Sequence, residues 1–347
     1  MSNRPFIAAR METALNRRIE AIARRAGWVE SITSYVGYGN HKSVRVLARL
    51  SLRPRRAQGV VAQEVEKLLE RRGWRNFVTL ACVSRPVRLR LGDQTVEAVT
   101  DRGGYVDVQV RDHGLEPGWH TVHLSTDEAE DTPADVLVVS RETTFGIVSD
   151  IDDTVISTSL PRPLIAAYNS FFLEEAARQE VPGMAAMYQQ VLADHPGAPI
   201  VYVSTGAWNT LPFLRRFLSR HDFPKGPLLM TDWGPTNTGW FRSGQDHKRN
   251  ALRQLARDFP KISWLLVGDD GQHDPMLYAE FAEYAPKRVR GIAIRQLNPV
   301  EQVLAHGTPG ERLDTPTTQD IRSSKPLVEG ADGFSLLPQV GRILADD

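Results

Sequence analysis

Asp150, Asp152 and Asp153 crowd four consecutive positions at the end of an apolar run, in "FGIVSDIDDTVIST". Like charges that close raise one another's pKa and cost stability unless a positive group sits among them. Side chains alternate along an extended strand, so Asp150 and Asp152 are expected to face one way and Asp153 the other. Two carboxylates aimed at one pocket, with room for water, make a hard-cation site that suits Mg2+. An EF-hand loop does not fit, since it needs glycine where Val155 stands and a helix before it rather than a strand. A glycosidase pair of carboxylates normally comes from separate elements. Asp153 is expected to serve a turn or a helix cap.

Three other stretches carry polar groups at the ends of apolar runs. "VYVSTG" ends in Ser204, Thr205 and Gly206 just before a predicted helix. Hydroxyls and free N–H groups there bind phosphate well, although Ser-Thr-Gly also caps ordinary helices. "DHK" puts Lys248 at the start of a predicted helix, where its charge opposes the macrodipole and calls for an anionic partner. "LLVGDDGQHDP" runs a second buried strand into Asp269 and Asp270, with Asp274 five residues past Asp269. A second acidic strand end beside the first would complete a metal site. Whether Asp270 or Asp274 takes part is left open by spacing.

These groups need elements to hold them. Short apolar runs at 145–150, 199–204, 227–231, 263–268 and 289–294 alternate with helical patterns near 184–194, 208–220, 247–258 and 274–284. Buried runs separated by helices predict an α/β fold with a parallel sheet covered on both faces. Such sheets bind ligands beyond the carboxyl ends of their strands.

The preceding residues have a different period. "VRVLARLSL", "VRLRL" and "YVDVQV" alternate apolar and polar positions, as half-buried strands do, with turns at "DRGG" and "LEPGW". They predict a small β-sandwich, interrupted by one helix near 60–73. "YVGYGN" reads as a turn. Over 7–26 the residues Ile7, Met11, Leu15, Ile19 and Ile22 recur at helical spacing among arginines. This helix is expected to pack its apolar stripe on its own protein, with an anionic membrane surface as the alternative. The resulting organisation is an N-terminal amphipathic helix in 1–30, a β-sandwich-like domain over 31–143, an α/β domain over 144–300, and a loop-rich extension over 301–347 ending in a short helix.

Composition sets outer bounds. The 347 residues carry 42 Lys+Arg against 42 Asp+Glu, so no overall field favours nucleic acid. The first 60 residues are nonetheless basic, with twelve Lys/Arg and three Asp/Glu. No apolar run is long enough to span a membrane, and no secretory leader is apparent, so a cytoplasmic location is expected. Cys82 is the only cysteine. It lies in the strand-like run "FVTLACVSRPV" and reads as core rather than nucleophile.

The order acid pair, hydroxyl, lysine, acid pair resembles the haloacid-dehalogenase-like superfamily of phosphotransferases. "DIDDT" fits its D-x-D-x-T signature, Ser204 its second motif, Lys248 its third and "GDDGQHD" its fourth. "SDIDDTVI", "VYVSTGAWN", "HKRNALRQL" and "FPKISWLLVGDDGQHDPMLYAEFA" further resemble the catalytic domain of actin-patch-type phosphatidate phosphatases and their bacterial relatives. "YVGYG" and "VRVLARL" are similar to that family's N-terminal region. Gly206-Ala207 stands where eukaryotic members tend to have Ser-Pro, and Asp270 where many have Ser.

The resemblance implies a Rossmann-like three-layer sheet and a Mg2+-dependent phosphatase. It implies that Asp150 attacks a phosphate monoester and becomes an aspartyl phosphate, while Asp152 protonates the leaving oxygen and then activates water. Mg2+ would be held by the side chains of Asp150 and Asp269 and the carbonyl of Asp152. Ser204, Thr205, Gly206 and Lys248 would hold the phosphoryl oxygens. Arg242, in "DWGPTNTGWFRSG", is a candidate head-group contact. Phosphatidate or a related lipid phosphate is the expected substrate, with peripheral membrane contact. The alternatives are a soluble nucleotide or sugar phosphate, or a non-catalytic scaffold. The segment 159–183 carries Leu160, Leu164, Ile165, Phe171, Phe172 and Leu173, either as an apolar lid or as a helix packed on the sheet edge.

Overall fold

The computed structural model describes residues 19–54, 80–157, 179–231, 244–271, 273–299, 301–302 and 325–345. They divide into two compact units, one ending at Ser140 and the other starting at Arg141. The expected helix near 60–73, most of 159–183, the loop holding Arg242 and residues 1–18 lie outside the described residues.

The first unit is built from strands β1 (Trp28–Ser34), β2 (Gly37–Asn40), β3 (Ser43–Pro54), β4 (Leu80–Ala81), β5 (Pro86–Leu91), β6 (Gln94–Val99), β7 (Tyr105–Arg111), β8 (Gly118–Ser125) and β9 (Thr132–Val139). They form one hydrogen-bonded sheet in the order β1-β3-β2-β9-β8-β5-β6, with β4 and β7 also paired to β3. Pairing is antiparallel except between β2 and β9. The period-two pattern explains which side is dry: Val87, Leu89 and Leu91 are buried while Arg88 and Arg90 between them are exposed. Together with Val44, Val46, Leu50, Val106, Val122 and Val136 they form one apolar cluster. Fully burying each such side chain contributes about 1.5–3 kcal/mol. "YVGYGN", read as a turn, instead contains β2, because Gly37 to Asn40 pair in register with Val136 to Val139.

A helical stretch, residues 19–25, belongs to this unit. Its inward residues are Ala23, which joins the apolar cluster, and Glu20. Ile19 and Ile22, the described members of the expected apolar stripe, are exposed instead. Charge explains the rotation. Arg24 pairs with Glu20 at 3.0 Å and also with Glu30 and Glu128, and Arg85 reaches Glu20 at 2.9 Å. Two largely buried carboxylates need those guanidinium groups more than two isoleucines need cover.

The second unit has a six-stranded sheet in the order β14-β13-β10-β15-β16-β17, every pairing parallel. Its strands are β10 (Phe145–Asp150), β13 (Ile200–Ala207), β14 (Leu228–Thr231), β15 (Ser263–Asp269), β16 (Val289–Arg295) and β17 (Leu327–Gly330). A hairpin of β11 (Ile156–Ser157) and β12 (Gln179–Glu180) follows β10. The helices are α1 (Met184–Asp194), α2 (Leu211–Arg220), α3 (Gly244–Asp258), α4 (Asp274–Tyr284) and α5 (Gly333–Ala345). α1 packs on α5 and α3 on α4, while β16 is touched by both α4 and α5. Strands covered on both faces have no wet side, so β10 and β14 are buried at every position.

Five strands lie where the apolar runs predicted them. β17 is a difference, while the final helix expected of the tail is the 13-residue α5. They come from the segment read as a loop-rich tail, and β17 adds a sixth strand beside β16. Four residues, Leu327 to Gly330, are too few to show a period.

Candidate active site

The chain runs from β10 through β13 to β14 on one side of the sheet, then returns to β15, β16 and β17 on the other. The crevice beyond the carboxyl end of β10 is therefore the switch point, with β13 and β15 as its walls. Asp150 is the last residue of β10 and Asp269 the last of β15. Ser204 lies where β13 shifts register against β14, between Val203 and Ala207, so the strand bulges there. Lys248 comes from α3 and Asp274 opens α4.

These groups converge. Lys248 Nζ lies 2.7 Å from Asp150 Oδ1 and 2.6 Å from Asp274 Oδ1. Carboxylate oxygens of Asp150, Asp269 and Asp274 lie within 4.8 Å of one another, all three residues buried. Ser204 Oγ donates to Asp152 Oδ2 at 3.1 Å and accepts the Gly206 N–H at 2.9 Å. Thr205 is half-buried beside it. Thr154 Oγ1 reaches toward Asp269 Oδ2 at 3.5 Å, and the Gly271 N–H donates to Asp269 Oδ1 at 2.8 Å. Asp153 holds the turn after β10. It adopts φ 61 and its N–H donates to the Ile156 carbonyl at 2.8 Å, a turn position. Asp270 Oδ1 accepts the Leu297 N–H at 2.8 Å, tying two strand-end loops.

The carboxylate group is thus Asp150, Asp269 and Asp274, while the side chain of Asp152 turns to Ser204. Asp274, left open by spacing, comes in because Gly268 lets it. A Cβ on Gly268 would sit 2.5 Å from Asp274 Oδ2 and 2.8 Å from Asp274 Cβ. Three carboxylates against one ammonium leave two formal negative charges, the charge of one divalent cation. Both oxygens of Asp150 and Oδ2 of Asp274 are buried without a hydrogen-bond partner. The short Asp150–Lys248 contact is therefore an ion pair off hydrogen-bond geometry. Asp150 Oδ1 has that ammonium beside it, so the hard oxygens left over are Asp150 Oδ2 and Asp274 Oδ2, and with this charge balance they fit a Mg2+ ion.

Electrostatics follow from that crowding. Burial, then Asp274 and Asp152, push the Asp150 carboxyl well above the usual carboxylate range, with Lys248 opposing them. Burial, then Asp274 and Asp150, do the same to Asp269. Burial opposes charge on Lys248, yet Asp150, Asp274 and Asp269 together hold its ammonium above the ordinary lysine range. Behind the site, the Tyr278 hydroxyl donates to the Val267 carbonyl at 2.9 Å, and Ser149 Oγ bonds Tyr188 at 2.6 Å. Nothing in local spacing pointed to these two tyrosines or to Arg295, whose only signal is a strand ending in arginine.

The acid, hydroxyl, lysine and acid read from the motifs thus lie together around the switch point of a doubly covered parallel sheet. Residues 145–296 match the family described as "Phosphatidate phosphatase APP1, catalytic domain". The resemblance read from the motifs thus holds for that stretch. The phosphatidate phosphatase APP1 of Saccharomyces cerevisiae is 28% identical over 152 residues, which are 44% of this chain and 26% of the yeast protein. An uncharacterized protein of Schizosaccharomyces pombe is 26% identical over 154 residues, 44% of this chain and 25% of that one. The chain therefore spans about a quarter of the length of these curated relatives. The structure of the HAD domain of effector protein Lem4 from Legionella pneumophila aligns with 53% of this chain and 97% of its own at 16% identity and a TM-score of 0.29, too low to carry an argument.

Proposed function

We propose that the second unit hydrolyses phosphate monoesters through an aspartyl-phosphate intermediate, with Mg2+ as cofactor. The observation that carries this reading is the burial of Asp150, Asp269 and Asp274 around one ammonium. An Asp150 oxygen attacks phosphorus, and the bond from phosphorus to the ester oxygen breaks. Asp152 gives its proton to the departing alcohol. Asp152 then takes a proton from water, which attacks phosphorus and frees the Asp150 carboxylate and inorganic phosphate. Ser204, Thr205, Gly206 and Lys248 hold the phosphoryl oxygens as charge redistributes. Asp150, Asp269 and the carbonyl of Asp152 would hold Mg2+, with Asp274 beside them; when bound, the ion offsets repulsion between an anionic nucleophile and an anionic phosphate.

Phosphatidate or a related lipid phosphate is the substrate class we favour. Support comes from the APP1 catalytic-domain match, the basic N-terminal stretch, and the exposed Ile22 on its helical end. No helix among the described residues is long and apolar enough to cross a membrane, so contact would be peripheral. We read residues 144–300 as the catalytic domain, completed by β17 and α5. The first unit we read as a sandwich-like domain, since its apolar cluster draws on β1, β3, β5, β7, β8 and β9. Arg242 remains our candidate for the head group.

The deciding experiment is phosphate release from a panel of phosphatidate micelles, nucleotides and sugar phosphates, with and without EDTA. Turnover of phosphatidate, lost with EDTA, supports the reading. Turnover of soluble esters alone would move the substrate to that class. No Mg2+-dependent release from any ester would leave a binding scaffold.

A further inference from the structure

The carboxyl ends of β16 and β17 carry a network that the chemistry above does not use. Arg295, the last residue of β16, is buried, and its guanidinium meets three acceptors. Nη1 donates to the Asp153 carbonyl at 2.7 Å, Nη2 to Glu301 Oε1 at 2.7 Å, and Nε to the Ala331 carbonyl at 3.2 Å. Glu301 also accepts Ser157 Oγ at 3.3 Å and the Asn298 N–H at 2.9 Å. Burial opposes charge on Glu301, but the Arg295 hydrogen bond holds its carboxyl below the usual range. A planar fork engaged in three directions is rigid.

The atoms it holds share one chain segment. The Asp153 carbonyl is adjacent to Asp152. Ser157 belongs to β11, half of the hairpin that begins and ends the segment 158–178. The Asp153 N–H bonds Ile156 at 2.8 Å, and the Val181 N–H bonds the Val155 carbonyl at 3.0 Å. The stretch from Asp150 to Ser157 is thus tied at one end by β10 and at the other by Arg295 and Glu301.

We propose that Arg295, oriented by Glu301, is a positioning residue that sets the Asp152 carboxyl relative to Asp150 and latches the β11–β12 pair to the carboxyl end of β16. This rests on reading Asp152 as the proton donor. Neither latch residue touches the reacting atoms. An alkyl phosphate needs the Asp152 proton for its alcohol to leave, whereas p-nitrophenolate leaves without one. Loosening the latch therefore slows the two substrates unequally.

The test compares wild type, Arg295→Lys and Glu301→Gln on p-nitrophenyl phosphate and on alkyl monoesters (phosphatidate micelles and glycerol phosphate), all with Mg2+. Lysine keeps the charge but cannot reach three acceptors at once. We expect kcat/KM, which reports formation of the aspartyl phosphate and not its shared hydrolysis, to fall about tenfold or more on the alkyl ester and by no more than about twofold on p-nitrophenyl phosphate. Amide exchange at Asp153 and Val181 should quicken while β10 and β15 stay protected. Parallel losses of kcat/KM on both substrates, no loss, or unchanged exchange at those amides would overturn the proposal. Wild type inert on every ester would refute the phosphatase reading instead, and the exchange measurement would still decide the latch. Should Arg295→Lys fail to fold, Glu301→Gln, which keeps the side-chain shape, carries both measurements.

Discussion

The Lys248 ammonium stands 2.6 Å from Asp274 Oδ1, with both side chains buried and 26 residues apart in sequence. Lys248 also pairs with Asp150, so a single cation bridges the proposed nucleophile and a carboxylate from another element. Breaking a buried ion pair from one side leaves an uncompensated charge and costs about 3–5 kcal/mol. Lys248→Met should therefore lower the unfolding free energy in EDTA by that amount, seen as a lower urea midpoint, and added Mg2+ should recover part of it. An unchanged midpoint would mean the carboxylates are neutral without the lysine.

Asp150→Asn should reduce phosphate release by roughly three orders of magnitude or more, because an amide cannot form the acyl phosphate. Its melting temperature in EDTA should hold or rise. Burial, Asp274 and Asp152 all penalise charge at this position, and the substitution removes it. Retained wild-type turnover would remove Asp150 from the nucleophile's role.

Magnesium should raise the melting temperature of the wild-type protein, by the equivalent of about 2.7 kcal/mol at a hundred times its Kd. Asp269→Asn should shrink that shift sharply, since Asp269 supplies one of three clustered carboxylates. Differential scanning fluorimetry across a Mg2+ series, reversed with EDTA, measures it. A shift of full size in the variant would place the ion elsewhere.

Gly268→Ala tests the route by which Asp274 enters. The added Cβ would meet Asp274 Oδ2 at 2.5 Å and Tyr278 Cε2 at 2.9 Å. Overpacking of this kind costs about 1–3 kcal/mol. The variant should fold, melt lower and lose most of its Mg2+ shift. A normal Mg2+ response would show that Asp274 contributes nothing to the ion.

Cys82 is fully buried, and burial pushes its thiol up to about 12. It should resist a thiol reagent such as DTNB at pH 8 and react once urea unfolds the chain. The linkage sign follows. Above the ordinary thiol value the unfolded state loses a proton that the folded state keeps, so stability falls with rising pH between 9.0 and about 12. Rapid labelling of native protein would contradict the burial.

Much of the second unit was legible because its signals are local. Apolar runs of strand length mark β10, β13 and β15 wherever they occur, and an acid or hydroxyl at their ends reads directly. Ser204 and Lys248 were found this way, although β13 runs on past Ser204 to Ala207 and α3 starts a turn earlier than expected, at Gly244. Other features do not declare themselves locally. β2 contains two glycines, and the four residues of β17 show no period. The helical end at 19–25 turned Glu20 inward because Arg24 and Arg85 wait there, a fact of pairing across the unit.

The order of residue types along the chain, and their place at strand ends, were the sequence's own contribution: acids at 150, 152 and 269, a hydroxyl at 204, a lysine at 248. Tertiary structure alone decided which of them meet. It brought Asp274 rather than the Asp152 side chain into the carboxylate cluster, and it carried Arg295 across 142 residues to the Asp153 carbonyl. The physical reason is range. Backbone periodicity and capping act over a few residues, whereas the cost of burying a charge is met only by whatever partner the completed sheet delivers from elsewhere in the chain.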